Sequence, residues 1–79
     1  MRLDKFLKVS RLIKRRTVAA EAADAGRITV NDKVAKASTK VHSGDVIEIA
    51  FGNKTVKARV KTILQSTKKE DVAEMYEYL

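Results

Sequence analysis

The chain has no cysteine, no tryptophan, one histidine, three glycines, two phenylalanines and two tyrosines in 79 residues. Without cysteine it holds no disulfide and offers no thiolate as nucleophile or metal ligand. That suits a reducing compartment, and the cytoplasm is the expected location. No run approaches the roughly 18 apolar residues of a membrane span. No apolar stretch follows the N-terminal bases as a secretory signal requires. His42 stands alone beside Ser43-Gly44-Asp45, the composition of a surface turn, so no general base is expected there. Nothing clusters His, Cys or carboxylates at metal-ligand spacing. Glu70, Asp71, Glu74 and Glu77 read as acids of a terminal helix, the earlier two facing its dipole and the later two solvated. Gly26, Gly44 and Gly52 are separated and each marks a turn, so no glycine-rich loop cradles phosphate. These absences point away from an enzyme, a metal centre or a resident cofactor.

What is present is positive charge, and it is concentrated. The net charge is +7, and seven bases (Arg2, Lys5, Lys8, Arg11, Lys14, Arg15 and Arg16) fall in the first sixteen residues against the single acid Asp4. That segment carries +6, and the remaining sixty-three residues carry +1. Such a concentration is the electrostatic footprint of a polyanion binder. At this length a single domain over residues 1–79 is expected, burying only about 60% of the surface its unfolded chain exposes.

The elements read as α+β. Leu3, Phe6, Leu7, Ser10 and Ile13 fall within about 120° of one another on a helix from Leu3 to Ile13. Lys5, Lys8, Arg11 and Arg15 take the opposite side. A solvated helix surface is the bland alternative, but no Glu–Lys ladder dilutes this one, and self-repulsion costs stability unless an anion relieves it. A second helix is expected from Thr17 as N-cap through Val18 to about Ala25, with Gly26 closing it. The period then changes. Ile28 and Val30 alternate with polar neighbours, Asn31-Asp32 marks a turn, and residues 34–36 return. Residues 46–51 form the best strand, Gly52-Asn53 another turn, and Thr55 to Leu64 a further strand. Thr67-Lys68-Lys69-Glu70 is a capping box. It predicts a C-terminal helix that buries Val72, Met75, Tyr76 and Leu79 on one face.

The polyanion is narrowed by elimination. A helix-turn-helix reads DNA with its second helix, and here that helix is Val-Ala-Ala-Glu-Ala-Ala-Asp-Ala, with no base-reading side chain. DNA is not an expected partner. The apolar residues that a membrane-surface helix would expose are needed for the core. Readers of single-stranded RNA expose aromatic platforms. Phe6, Phe51 and Tyr76 are expected in the core, leaving Tyr78 alone. Phosphate and shape recognition of structured RNA remains.

Arg2-Leu3-Asp4-Lys5-Phe6-Leu7, Arg11, Arg16, Ala20-Glu21, Gly26-Arg27-Ile28-Thr29-Val30-Asn31 and Lys36-Ala37-Ser38 resemble the S4 RNA-binding domain. The match covers roughly residues 1–50, with Asp32 departing from the glycine common at that turn. The resemblance implies two helices packed on a small, mainly antiparallel sheet. To this the chain adds an extension over about residues 51–79, a strand and a C-terminal helix. Over nearly its whole length the chain is similar to the RqcP family of bacterial ribosome-associated quality control factors. It is also similar to the related small ribosome-associated heat-shock proteins, which carry a longer basic C-terminal tail; a sequence running to Leu79 is expected to side with the RqcP family.

That resemblance implies binding to large ribosomal subunits obstructed by peptidyl-tRNA, with contacts to large-subunit rRNA and P-site tRNA. It also implies cooperation with a tailing factor that adds C-terminal alanines to the stalled chain. By position, Arg2 and Arg16 match the family's most informative arginines. Lys5, Lys8 and Arg11 accompany them on the first helix, and Lys14 and Arg15 extend the surface into the turn. Asp4 is expected to orient Arg2 or Lys5, to accept a hydrogen bond from RNA, or merely to face the helix dipole. Arg27, Lys36 and Lys40 flank the surface or are ordinary solvated cations. The protein is expected to be a monomer. Two other functions stay open: an rRNA-binding factor for ribosome assembly or heat-shock recycling of subunits, and a basic adaptor docking an acidic protein.

Overall fold

The computed structural model describes residues 1–64 and 69–79. Its elements in chain order are α1 (Leu3–Val9), α2 (Arg16–Asp24), β1 (Ile28–Val30), β2 (Lys33–Val34), β3 (Val46–Phe51), β4 (Lys54–Val60), a 3-10 turn (Lys69–Glu74) and β5 (Tyr76–Tyr78). The five strands form one antiparallel sheet in the order β2-β1-β3-β4-β5. The helices bury Leu3, Phe6, Leu7, Ala19 and Ala23 against Ile28, Ile47, Ile49 and Val60 of the sheet. This is the expected α+β arrangement of two helices on a small antiparallel sheet.

Turn chemistry sets the path. Gly26, at φ +80, ends α2. The N–H of Gly26 bonds to the carbonyl of Ala23 and that of Arg27 to the carbonyl of Ala22, the paired bonds of a Schellman motif. Asn31 and Asp32 both take positive φ between β1 and β2, where Val30 pairs with Lys33. Positive φ at both central residues is the type I′ pattern, which Asn and Asp tolerate better than most residues. Gly52, at φ +54, opens the equally tight β3–β4 turn.

Several expectations are corrected. The first helix stops at Val9 rather than Ile13, because the Ser10 hydroxyl bonds to the Leu7 carbonyl at 3.2 Å and Arg11 turns left-handed at φ +64. A short hydroxyl that bonds its own backbone competes with helix continuation. The second helix begins at Arg16, with Arg15 in the N-cap position and no side-chain cap, so Thr17 lies inside the first turn. The fourth strand ends at Val60, and Thr62 is exposed beyond it.

The C-terminal helix is replaced by the 3-10 turn and β5. Tyr76, Glu77 and Tyr78 zip onto Val60, Arg59 and Ala58. A seven-residue β4 would otherwise leave a row of unpaired backbone groups at the sheet edge, and closing that edge outweighs the helical pattern. Met75 does reach the core, but Leu79 is exposed. Of the capping box, Thr67 and Lys68 lie outside the described residues, and Lys69 and Glu70 fall in the 3-10 turn. Phe51, expected in the core, is exposed at the end of β3.

Candidate RNA-binding site

The site is organised by its one acid. Asp4, in the first turn of α1, has a side chain only 6% exposed and carries two ion pairs, to Nε of Arg2 and to Nε of Arg16, each at 3.3 Å. Its Oδ1 also accepts the backbone N–H of Lys5 at 2.8 Å. Both arginines remain about half exposed, 53% for Arg2 and 46% for Arg16. A buried carboxylate thus restrains two guanidinium groups while leaving much of each in solvent. The guanidinium fork presents several donors in one plane, suited to bidentate contact with phosphate.

The left-handed Arg11 makes this meeting possible. Its N–H bonds to the Lys8 carbonyl at 3.1 Å, and the N–H of Ile13 returns to the Leu7 carbonyl at 3.1 Å. The chain is thereby redirected so that Arg16, twelve residues beyond Asp4, comes back over it. A non-glycine residue in this region costs roughly 1–2 kcal/mol. Burial of Ile13 beneath the turn helps to hold it.

The N-terminal segment is also tied to the loop before β3. Arg2 pairs with Lys40 in an isolated antiparallel bridge, the N–H of Leu3 bonds to the Thr39 carbonyl, and that of Asp4 to the Ala37 carbonyl. Lys40 is therefore beside Arg2, and Lys36 is exposed in the same loop. Lys8 is exposed at the end of α1, and Lys5 is half-buried. Arg11, Lys14 and Arg15 are exposed on the α1–α2 turn, so Arg11 does not share the basic helix as expected. Arg27 stands at the entry to β1, its N–H bonded to the Ala22 carbonyl and its carbonyl accepting the Ala50 N–H. The Asp4–Arg16 pair escaped the sequence reading. The available signal was the isolation of one acid among seven bases.

Replacing Asp4 by Asn should keep the Lys5 bond and release both arginines. The added positive charge favours any polyanion, whereas lost preorganisation weakens a specific site by about 0.5–1.5 kcal/mol per loosened side chain. The expected result is a roughly tenfold lower ratio of ribosomal-subunit affinity to poly(U) affinity, measured for both ligands at one salt concentration. An unchanged ratio would mean that Asp4 does not position the arginines.

Two helices on an antiparallel sheet, with arginines gathered round one buried carboxylate, define a small RNA-binding module. The S4 domain model matches residues 1–47. The chain is 60% identical over all 79 residues to the RQC P-site tRNA stabilizing factor of Streptococcus pneumoniae, spanning 90% of that protein. It is 57% identical over the same length to the factor of that name from Bacillus subtilis, spanning 92% of it. Among solved structures, the trimeric Heat Shock Protein 15 of Vibrio cholerae superposes with a TM-score of 0.91 at 25% identity, covering all of this chain and 81% of that one. The chain belongs to the S4-domain family of RQC P-site tRNA stabilizing factors.

Proposed function

We propose that this protein binds large ribosomal subunits obstructed by peptidyl-tRNA and fastens the P-site tRNA to the particle. It acts in the cytoplasm without catalysing a reaction, while a tailing factor extends the stalled chain with alanines. The reading is carried by the Asp4 clamp, which holds Arg2 and Arg16 side by side within the most cationic segment of the chain. The relatives of this chain are named for stabilizing P-site tRNA.

The physical task is to join two polyanions that repel each other. Arg2, Arg16 and Lys40 form the centre of the contact, with Lys8, Arg11, Lys14 and Arg15 spread along the turn and Lys5 and Lys36 at its margins. Large-subunit rRNA and tRNA divide these cations between them. Asp4 opposes random phosphate binding and restrains the two arginines, so the contact depends on geometry as well as charge.

If about five phosphates are engaged, log K should fall against log salt with a slope of roughly −4. Affinity for the obstructed subunit should therefore drop several hundred-fold between about 50 and 200 mM salt. A flat response would contradict an electrostatic bridge. A second reading, recycling of subunits after heat shock, is favoured by the close superposition on Heat Shock Protein 15. It predicts equal binding to subunits with and without tRNA.

A further inference from the structure

We propose that the outer edge of β5 and the tyrosine cleft beside it dock an extended, arginine-bearing segment of another protein, which joins the sheet as a further strand. The inference goes beyond RNA binding and concerns the part of the chain with the opposite charge. Residues 70–79 hold Glu70, Asp71, Glu74 and Glu77 and no base, a net −4. The other sixty-nine residues hold all seventeen bases and six acids, a net +11.

The edge is open where a peptide could pair. β5 is the last strand in the sheet order and pairs with β4 on one side. The N–H of Leu79 bonds to the Lys57 carbonyl and that of Lys61 to the Met75 carbonyl, so Met75, Glu77 and Leu79 turn their backbone groups toward β4. These groups alternate along an antiparallel ladder. Tyr76 and Tyr78 therefore direct their N–H and C=O groups to the free side, the template on which an extended peptide adds as a strand.

Side chains supply the selection. Tyr76 opposes Val60 and Tyr78 opposes Ala58, both buried, so the two rings lie on the helix side of the sheet. They meet edge to face, with centroids 5.2 Å apart and planes at 83°, and their hydroxyls lie 3.3 Å apart. With Val72, Ala73 and Glu77 they line an open cleft of about 400 Å³. Tyr78 is 66% exposed, which leaves a ring face open to stacking. Burial, then the Tyr78 hydroxyl, pushes the Tyr76 phenol up to about 12, so negative charge at the cleft comes from carboxylates alone.

Charge decides the occupant. Glu74 is exposed in the 3-10 turn, and among the described residues no cation pairs with it. Glu77 lines the cleft. Lys57 and Arg59 alternate with Ala58 and Val60, so they stand on the opposite face of β4 from the rings. Arg59 meets Glu77 at 3.3 Å with both side chains about half exposed, and Lys61 Nζ at the rim donates to the Ala73 carbonyl at 3.3 Å. A nucleic acid would bring phosphates to these acids. A guanidinium can stack on the Tyr78 ring and pair with a carboxylate. The net positive charge of the chain does not forbid this, because charges more than about 8 Å away are screened at physiological salt.

The isotope-labelled full chain is titrated with the peptide Thr-Arg-Thr-Arg-Thr-Arg and with its counterpart carrying Glu in place of Arg. Labelled peptide is followed by anisotropy and backbone amide exchange by NMR. Saturable binding of the arginine peptide alone is expected, with slowed exchange at the Tyr76 and Tyr78 amides. Tyr78→Leu should weaken it by about 2- to 30-fold, whereas Tyr78→Phe retains it. Glu74→Lys should weaken the arginine peptide and admit the glutamate peptide. Binding of a labelled double-stranded RNA hairpin should be unchanged in these variants, and a parallel loss would mean that the two sites are not separate.

Absence of saturable binding, unaltered binding by Tyr78→Leu, or binding that leaves exchange at Tyr76 and Tyr78 unchanged overturns the site. Protection of the same amides by oligouridylate but not by the peptide assigns the edge to RNA. Protection that grows with the concentration of the chain alone assigns it to a second copy. Either result also overturns the proposal.

Discussion

The double variant Arg2→Ala, Arg16→Ala is expected to bind the obstructed large subunit about 30- to 20,000-fold more weakly than wild type. Each guanidinium that bonds a phosphate supplies a charge-assisted contact of about 1–3 kcal/mol, and two together span that range of affinity. The variant has a second effect that must be separated from the first. Both arginines neutralise Asp4, whose side chain is 6% exposed and whose other described partner is the Lys5 amide. A buried carboxylate stripped of its cations destabilises a fold by up to about 3–5 kcal/mol. Loss of binding could therefore come from unfolding.

Adding Asp4→Asn resolves the ambiguity. The amide preserves the shape and the Lys5 bond and removes the unpaired charge. The triple variant should recover wild-type thermal stability and still fail to bind. If it recovers binding as well, the arginines act only through the fold. If the double variant binds normally at physiological salt, they are merely exposed.

The largest effect on stability is expected from Phe6→Ala. Phe6 is fully buried and belongs to the cluster that joins α1 to Ile28, Ile47 and Ile49. Removing a buried phenyl ring costs about 3–5 kcal/mol, from lost transfer energy and from the cavity that remains. Native domains are stable by only about 5–15 kcal/mol, and a chain of this size lies toward the weak end. Each kcal/mol shifts the melting temperature of such a domain by about 4–8 °C, so a fall of at least about 12 °C is expected. Phe51→Ala, at an exposed ring, should stay within about 0.5–1 kcal/mol of wild type by chemical denaturation. Similar losses for both would contradict the placement of the core.

The contrast between these two phenylalanines also shows what the sequence could reveal. Phe6 sits in a helical repeat with Leu3 and Leu7, and that repeat identified a buried face. Phe51 continues the alternation of Ile47 and Ile49 in β3, so periodicity placed it in the core as well. Periodicity records which face a residue shares, not how far the covering helices extend. The turns were legible because Gly26, Asn31-Asp32 and Gly52 occupy the positive-φ positions that those residue types favour. Arg11 takes the same conformation with no such signature, so helical periodicity alone carries α1 past its true end at Val9.

The C-terminal segment failed for a different reason. Its capping box and its helical spacing were local signals, whereas β5 answers a distant need, the open edge of β4. The +6 segment was visible from the order of charges along the chain. Its internal order was not, because Asp4 and Arg16 lie in two elements joined by a turn whose direction only the fold sets.

The central claim is that the basic face recognises a tRNA-loaded particle. It is tested most directly by cosedimentation of the protein with purified large ribosomal subunits, with and without P-site peptidyl-tRNA, at physiological salt. Clear preference for the tRNA-loaded subunit is predicted. Equal binding to both particles, or binding to neither, would contradict it.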